Sequence, residues 1–149
     1  GRCNLLPDTS LDTKTRILPN YPRGQMELLS PMLTAIEPSA VLGWFNSRGV
    51  ETKTEPDGRT FPITDDSRTV ADCLTKAAAD AGVHVRLKSS VTSISPSPSG
   101  YTLTLKSGET LSPRCVVLAT GSSRGGYELA ASLNHSVVAP VPSLFTLTC

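Results

Sequence analysis

No apolar stretch in this chain approaches the roughly 20 residues that a membrane helix requires. The densest run, Cys115-Val116-Val117-Leu118-Ala119, is strand-sized. Neither sign of charge dominates: 14 Lys and Arg stand against 13 Asp and Glu, a net charge of +1. No basic cluster is interleaved with aromatics, so the sequence carries no electrostatic footprint for a nucleic-acid backbone. A Cys-x-x-Cys pair is also missing. Cys3, Cys73, Cys115 and Cys149 are widely spread, and neither His84 nor His135 lies at metal-ligand spacing from any of them. That speaks against zinc and against a disulfide framework, and it favours a reducing compartment. The Gly-x-Gly-x-x-Gly fingerprint is absent too. The opening GRCNLLPDTS has no initiator Met and no signal segment, and it reads like the middle of a loop.

What is present suits one soluble globular domain or a piece of one: 149 residues, 38% hydrophobic and 18% charged. Residues 5–23 are rich in Pro, Asp, Asn and Thr without a sustained period and end in Asn20-Tyr21-Pro22-Arg23-Gly24, so they read as a long loop. Two short helices are expected over 25–36 and 38–48, the second with Pro38 in its first turn and Gly49 as its stop. Val50–Thr54 and Arg59–Ile63 flank Pro56-Asp57-Gly58, a hairpin signal, and Pro62 suggests an edge strand. Val70, Cys73, Leu74, Ala77, Ala78 and Ala81 recur at helical steps. They predict a helix over 67–81 capped by Ser67 and ended by Gly82, with Leu74 buried at the centre of its apolar stripe.

Strands are expected at Val83–Leu87, Val91–Ser95, Tyr101–Lys106 and Arg114–Ala119. The middle two alternate apolar with polar residues, as an antiparallel meander with one wet face does, whereas Cys115–Ala119 is continuously apolar, like a central parallel strand. His84 then reads as a residue on the less apolar face of its strand, with no catalytic partner in view. Cys73 and Cys115 read as small buried hydrophobes.

The last strand runs into Ala119-Thr120-Gly121-Ser122-Ser123-Arg124-Gly125-Gly126 and a helix over 127–134, with Leu129, Ala130 and Leu133 inward. Strand, Gly-rich turn and helix are the geometry in which glycines let the backbone approach a pyrophosphate and free N–H groups at the helix start meet its charge. The same arrangement serves as a plain connection, and spacing alone leaves both readings open.

Gly1-Arg2-Cys3-Asn4, Tyr21-Pro22-Arg23-Gly24, Trp44-Phe45 with Gly49-Val50, Asp57-Gly58-Arg59 with Phe61-Pro62, Ala119-Thr120-Gly121 and Pro142-Ser143-Leu144 occur in that order. In this the chain resembles, over essentially its whole length, the BaiN-like or aminoacetone-oxidase-like FAD-dependent oxidoreductases. Trp44-Phe45 and Gly121-Ser122-Ser123 look closest to plant-type members. The resemblance implies an α/β fold: part of a Rossmann-like FAD/NAD(P)-binding domain, a parallel sheet with an antiparallel β-meander, over residues 1–149. In that family the tetrapeptide ends a longer Gly-rich stretch beside the flavin, preceded by the pyrophosphate-binding turn, so the chain is expected to be an internal fragment, inactive by itself.

The same resemblance implies FAD contact for Gly1, Arg2 and Asn4, for the backbone of Val91, and for Ala119, Thr120 and Gly121. Each has a structural alternative: Arg2 and Asn4 satisfying loop carbonyls, Val91 as a core strand residue, Gly121 serving its turn. Arg59 reads as a solvated hairpin arginine. After Ala119-Thr120-Gly121 the Ser122-Ser123-Arg124 turn is shorter than the Gly-rich loop of bacterial-type members of the family. Asn134 stands where the family tends to have Gly, and Asn tolerates the left-handed backbone a helix end needs. The implied function is hydride transfer through FAD, with NAD(P)H as donor and an unspecified small-molecule substrate. A non-catalytic nucleotide-binding or interaction module of the same fold is the alternative.

Overall fold

The computed structural model describes residues 1–8, 31 and 35–141. The Tyr21-Pro22-Arg23-Gly24 turn, most of the loop over 5–23, most of the helix expected over 25–36, the Pro142-Ser143-Leu144 motif and Cys149 lie outside them. The chain divides into two compact units, Gly1–His84 and Val85–Cys149.

Among its described residues the first unit joins a small antiparallel sheet to two helices of defined extent, and Pro31 and Ala35 are helical as well. Strand β1 (Leu6–Pro7), helix α1 (Pro38–Asn46), strands β2 (Thr52–Thr54) and β3 (Arg59–Pro62) and helix α2 (Ser67–Asp80) follow one another. The expected hairpin forms, with Lys53 opposite Phe61 and Thr54 opposite Thr60. Gly58 turns it at φ +80°, a left-handed conformation that a side chain would strain. One expectation needs correcting, because β3 is the central strand in the order β1-β3-β2, not an edge. Pro62 is tolerated there for a reason visible in the ladder. The Ile63 N–H donates to Glu51 O at 3.0 Å, so by alternation the Pro62 nitrogen faces away from β2. It points past the end of β1, which pairs only with Arg59 and Thr60.

Pro38 stands in the first turn of α1, as expected. The cap of α2 is one residue earlier than expected: the Asp66 carboxylate, not Ser67, accepts the Arg68 N–H at 2.9 Å. Both helices end in the same way. After α1, Gly49 N–H donates to Asn46 O and Val50 N–H to Phe45 O; after α2, Gly82 N–H donates to Ala79 O and Val83 N–H to Ala78 O. These paired bonds are Schellman closures. Val50 and Phe45 also meet in the core of the unit with Val70, flanked by Cys3, Leu5, Val41, Trp44 and Cys73.

The second unit carries the meander. Strands β4 (Val91–Ser97), β5 (Gly100–Leu105) and β6 (Thr110–Leu111) form an antiparallel sheet in sequence order, and helix α3 (Arg124–Ser132) packs on β4. Ile94 and Leu105 are its buried centre. Helix α3 ends on Asn134 at φ +62°, with Asn134 N–H to Ala131 O and His135 N–H to Ala130 O, so Asn does take the left-handed position.

The expected strands Val83–Leu87 and Arg114–Ala119 are not strands here, and no parallel pairing occurs among the described residues. A strand exists only as half of a ladder. The Val83 N–H is already spent closing α2, and Cys115–Ala119 has no hydrogen-bonded neighbour strand among the described residues, where Val117 is 88% exposed. Cys115 is an exposed free thiol rather than a buried hydrophobe. Leu74 likewise departs from its expected place, at 49% exposure. The buried line of α2 runs through Val70, Cys73 and Ala77, at steps of three and four, and Leu74 lies on its flank, beside an open groove with Ile36, Val41 and Trp44.

Candidate functional site

In the first unit the opening residues run extended along the hairpin and alternate in direction. Cys3 and Leu5 pack against the core, while Arg2 and Asn4 turn to polar partners. The Gly1 carbonyl accepts the Ser67 N–H at 2.9 Å, which ties the first residue to the start of α2. With its amide nitrogen turned toward the strand, Asn4 donates to Leu6 O at 3.2 Å and Thr60 O at 3.3 Å.

Arg2 is the centre of an ionic network. Its guanidinium is bonded to Glu55 and, through Nε, to Asp65 Oδ1 at 2.9 Å, and its carbon lies 3.8 Å from the centroid of the buried Phe61 ring. Lys53 Nζ reaches the other Asp65 oxygen at 2.5 Å, and Arg59 pairs with Asp57 at 2.6 Å. Three cations therefore face three carboxylates. Lys53, with Arg2 beside it, holds the Asp65 carboxyl below its ordinary range, and Arg59 does the same to Asp57. Arg59 is half exposed, as a solvated hairpin arginine is.

In the second unit the sheet, the 116–118 run, the Gly-rich turn and α3 enclose a cleft of about 440 Å3. Val91 and Thr120, 29 positions apart in sequence, both line it; Ala119 and Gly121 flank Thr120 without lining it. Its apolar wall is Val91, Ile94, Leu103, Val116 and Leu129, its polar edge Ser89, Ser90, Thr120 and Ser123, and no charged side chain borders it. Gly121 makes the bend at φ +59°. Gly126 is buried against Thr120, and a Cβ there would overlap the Thr120 side chain, so glycine is what lets the helix start approach the turn. No side chain caps that helix start.

The candidates thus fall into two groups, Gly1, Arg2 and Asn4 in one unit and Val91 with Ala119–Gly121 in the other. The roles of Glu55 and Asp65 around Arg2 were not visible in the sequence, because nothing in spacing announces a partner 53 positions away. Ser89 and Ser90 could have been found from their place directly before Val91. His84 is exposed. Among the described residues no cluster of His, Cys, Asp or Glu could hold a metal, and no helix is long and apolar enough to cross a membrane.

The arrangement in the second unit can hold a neutral, mostly apolar group with a few hydrogen-bonding edges. Compared with known families, the chain matches the model described as the HI0933-like protein Rossmann domain over residues 1–143.

Proposed function

The chain belongs to the HI0933-like family, an FAD-dependent oxidoreductase family with a Rossmann domain, and from that premise we propose that it supplies part of the FAD-binding domain of such an enzyme. The subtype proposed is the BaiN-like or aminoacetone-oxidase-like one, in a plant-type form, with hydride transfer through the flavin and NAD(P)H as donor. The parallel sheet of a Rossmann-type domain belongs to the same proposal, although Val83–Leu87 and Cys115–Ala119 do not pair as strands among the described residues.

The observation that carries the reading is the shared lining of one neutral cleft by Val91 and Thr120. The residues present fit the adenine end of FAD: Ile94, Leu103 and Leu129 offer apolar walls to a purine, and Ser89, Ser90, Thr120 and Ser123 offer polar atoms for its edge. They do not fit the pyrophosphate. No cation borders the cleft, and the sequence has no Gly-x-Gly-x-x-Gly whose N–H groups would hold that anion. When bound, FAD supplies the redox-active isoalloxazine. The chain's own part is to bind and orient: Val91 and Thr120 in the adenine-side cleft, with Ala119 and Gly121 beside Thr120, and Gly1, Arg2 and Asn4 as the contact proposed for the first unit. Arg2 would act there by the direction of its donors, since Glu55 and Asp65 already compensate its charge.

Titration of the chain with FAD, followed by amide NMR, tests this. The expected result is weak binding, with shifts concentrated at Ser89–Val91 and Thr120–Gly126. Each missing charge-assisted hydrogen bond to the pyrophosphate would be worth roughly 1.5–3 kcal/mol, so saturation below about micromolar FAD is not expected. Shifts confined to residues outside these segments and outside Gly1–Asn4, or none at millimolar FAD, would overturn the reading. A flavin spectrum that is unchanged by NAD(P)H in the full-length, FAD-loaded enzyme of which the chain is proposed to be part would favour the non-catalytic module instead.

A further inference from the structure

We propose that Glu55 and Asp65 are positioning residues for Arg2, forming a carboxylate clamp that fixes its guanidinium over Phe61. The inference deepens the flavin reading and rests on it for the purpose of the clamp, though not for its existence. Three observations converge. First, Arg2 is bonded by two carboxylates from different parts of the unit, Glu55 at the mouth of the hairpin turn and Asp65 in the connection from β3 to α2. Two anchors that diverge in sequence fix a planar fork in a way that one cannot. Second, the plane is supported from below, since Phe61 is only 4% exposed and its ring lies 3.8 Å from the Arg2 guanidinium carbon.

Third, Asp65 itself sits at φ +52°, one of three non-glycine residues with positive φ among those described. That backbone is sparsely populated for a residue with a Cβ, and it persists only where the surroundings hold it. Here it turns the carboxylate so that one oxygen meets Arg2 and the other meets Lys53. Arg2 is thus held on two edges and one face, on a segment that Gly1 and Leu5 tie down through Ser67 and Thr60. The consequence for the proposed site is that Arg2 presents its donors in one direction without waiting for the cofactor, so less ordering is lost on binding.

The experiment follows the Arg2 side-chain Nε–Hε signal by NMR in the 149-residue chain, with the Arg68 signal, held by Asp66, as internal control. Asp65→Asn is a useful probe, because Asn accepts left-handed backbone as readily as Asp while the charge and one of the two acceptor oxygens are lost. Glu55→Gln keeps the length of its side chain. Each variant should speed exchange of the Arg2 Nε–H with water by about two- to fivefold, the range expected of a part-exposed ion pair, and leave Arg68 unchanged. In an Arg2→Lys background the two substitutions should cause smaller amide shifts around Phe61, measured against Arg2→Lys itself, than they cause against wild type, since the fork that couples them is gone. Unchanged Arg2 exchange in both variants would overturn the clamp. Adding FAD as probe separates the two layers: a moving Arg2 signal supports both, whereas an Arg2 signal that responds to the variants but not to FAD leaves the clamp standing and removes Gly1–Asn4 from the flavin site.

Discussion

In Gly1–His84 the charged side chains nearest the candidate residues are paired with one another, whereas in Val85–Cys149 Val91 and Thr120 border a cleft lined by no charged side chain. The two units therefore contribute different things. The first fixes a polar segment against a hairpin and leaves little unsatisfied; the second offers room, apolar walls and hydroxyl edges. Internal pairing is the mark of a rigid presenting element, and an open neutral cleft is the mark of a receiving one. The cores differ in the same sense. Phe45, Val50 and Val70 form one cluster drawn from two helices and the turn between α1 and β2, while the second unit buries Ile94 and Leu105 and leaves Val117 exposed.

The sharpest way to break this contrast is to remove the centre of the first core. Phe45 is 6% exposed and supports both the Val50 closure and Val70, so Phe45→Ala should cost about 3–5 kcal/mol, read as a fall in the denaturant midpoint. A loss below about 1 kcal/mol would mean that the cluster is not what stabilises the unit.

Next comes the close approach in the second unit. Gly126→Ala gains helix propensity but drives a methyl into the Thr120 side chain, and the net expectation is a loss of about 1–3 kcal/mol. The diagnostic is the pair: Thr120→Ala should recover most of the loss, because the two residues share one volume. If the double variant is as unstable as Gly126→Ala alone, the approach of turn and helix is looser than the structure shows, and the cleft loses its rigid edge.

A smaller effect is expected at Leu74. Although its position in the sequence pattern points to the middle of a buried stripe, it is 49% exposed, so Leu74→Ala should cost only about 1 kcal/mol. A cost near that of Phe45→Ala would show that the groove beside Ile36, Val41 and Trp44 is covered in solution.

Leu74 also shows how far the sequence could be read. Helical spacing located α2, Pro38 and Gly49 bounded α1, and Asp57-Gly58 located the hairpin, because each of these is a local effect of backbone geometry. The meander was legible for the same reason, from alternation and its Pro- and Gly-containing turns. What local pattern does not contain is the partner. Cys115–Ala119 is apolar enough for a central strand, but whether it becomes one depends on another strand lying beside it. Pro62 looked like an edge residue because only the ladder shows which way its nitrogen faces. The candidate residues follow suit: Val91 and Thr120 were each nameable by resemblance, but their common cleft and the clamp on Arg2 depend on tertiary contact.

The smallest predicted effect concerns acid. Asp66 caps α2, and its hydrogen bonds from the Arg68 side chain and backbone N–H lower its pKa from the ordinary 3.8 to about 2. A carboxyl whose folded pKa is depressed contributes stability above its unfolded pKa and loses it as protons bind the folded state. The contribution of Asp66 should therefore be intact above about pH 5, decline as pH falls below 3.8, and be gone once pH passes about 2. The group is part-exposed, so the effect will be modest and partly screened by salt. Asp66→Asn keeps a capping oxygen and removes the titration, so the variant should follow a flatter stability curve than wild type between pH 5 and pH 2 and converge with it at the acid end. Parallel curves across that range would show that Asp66 holds the helix start through its cap alone and that the ion pair with Arg68, for all its short 2.6 Å contact, adds nothing to the first unit.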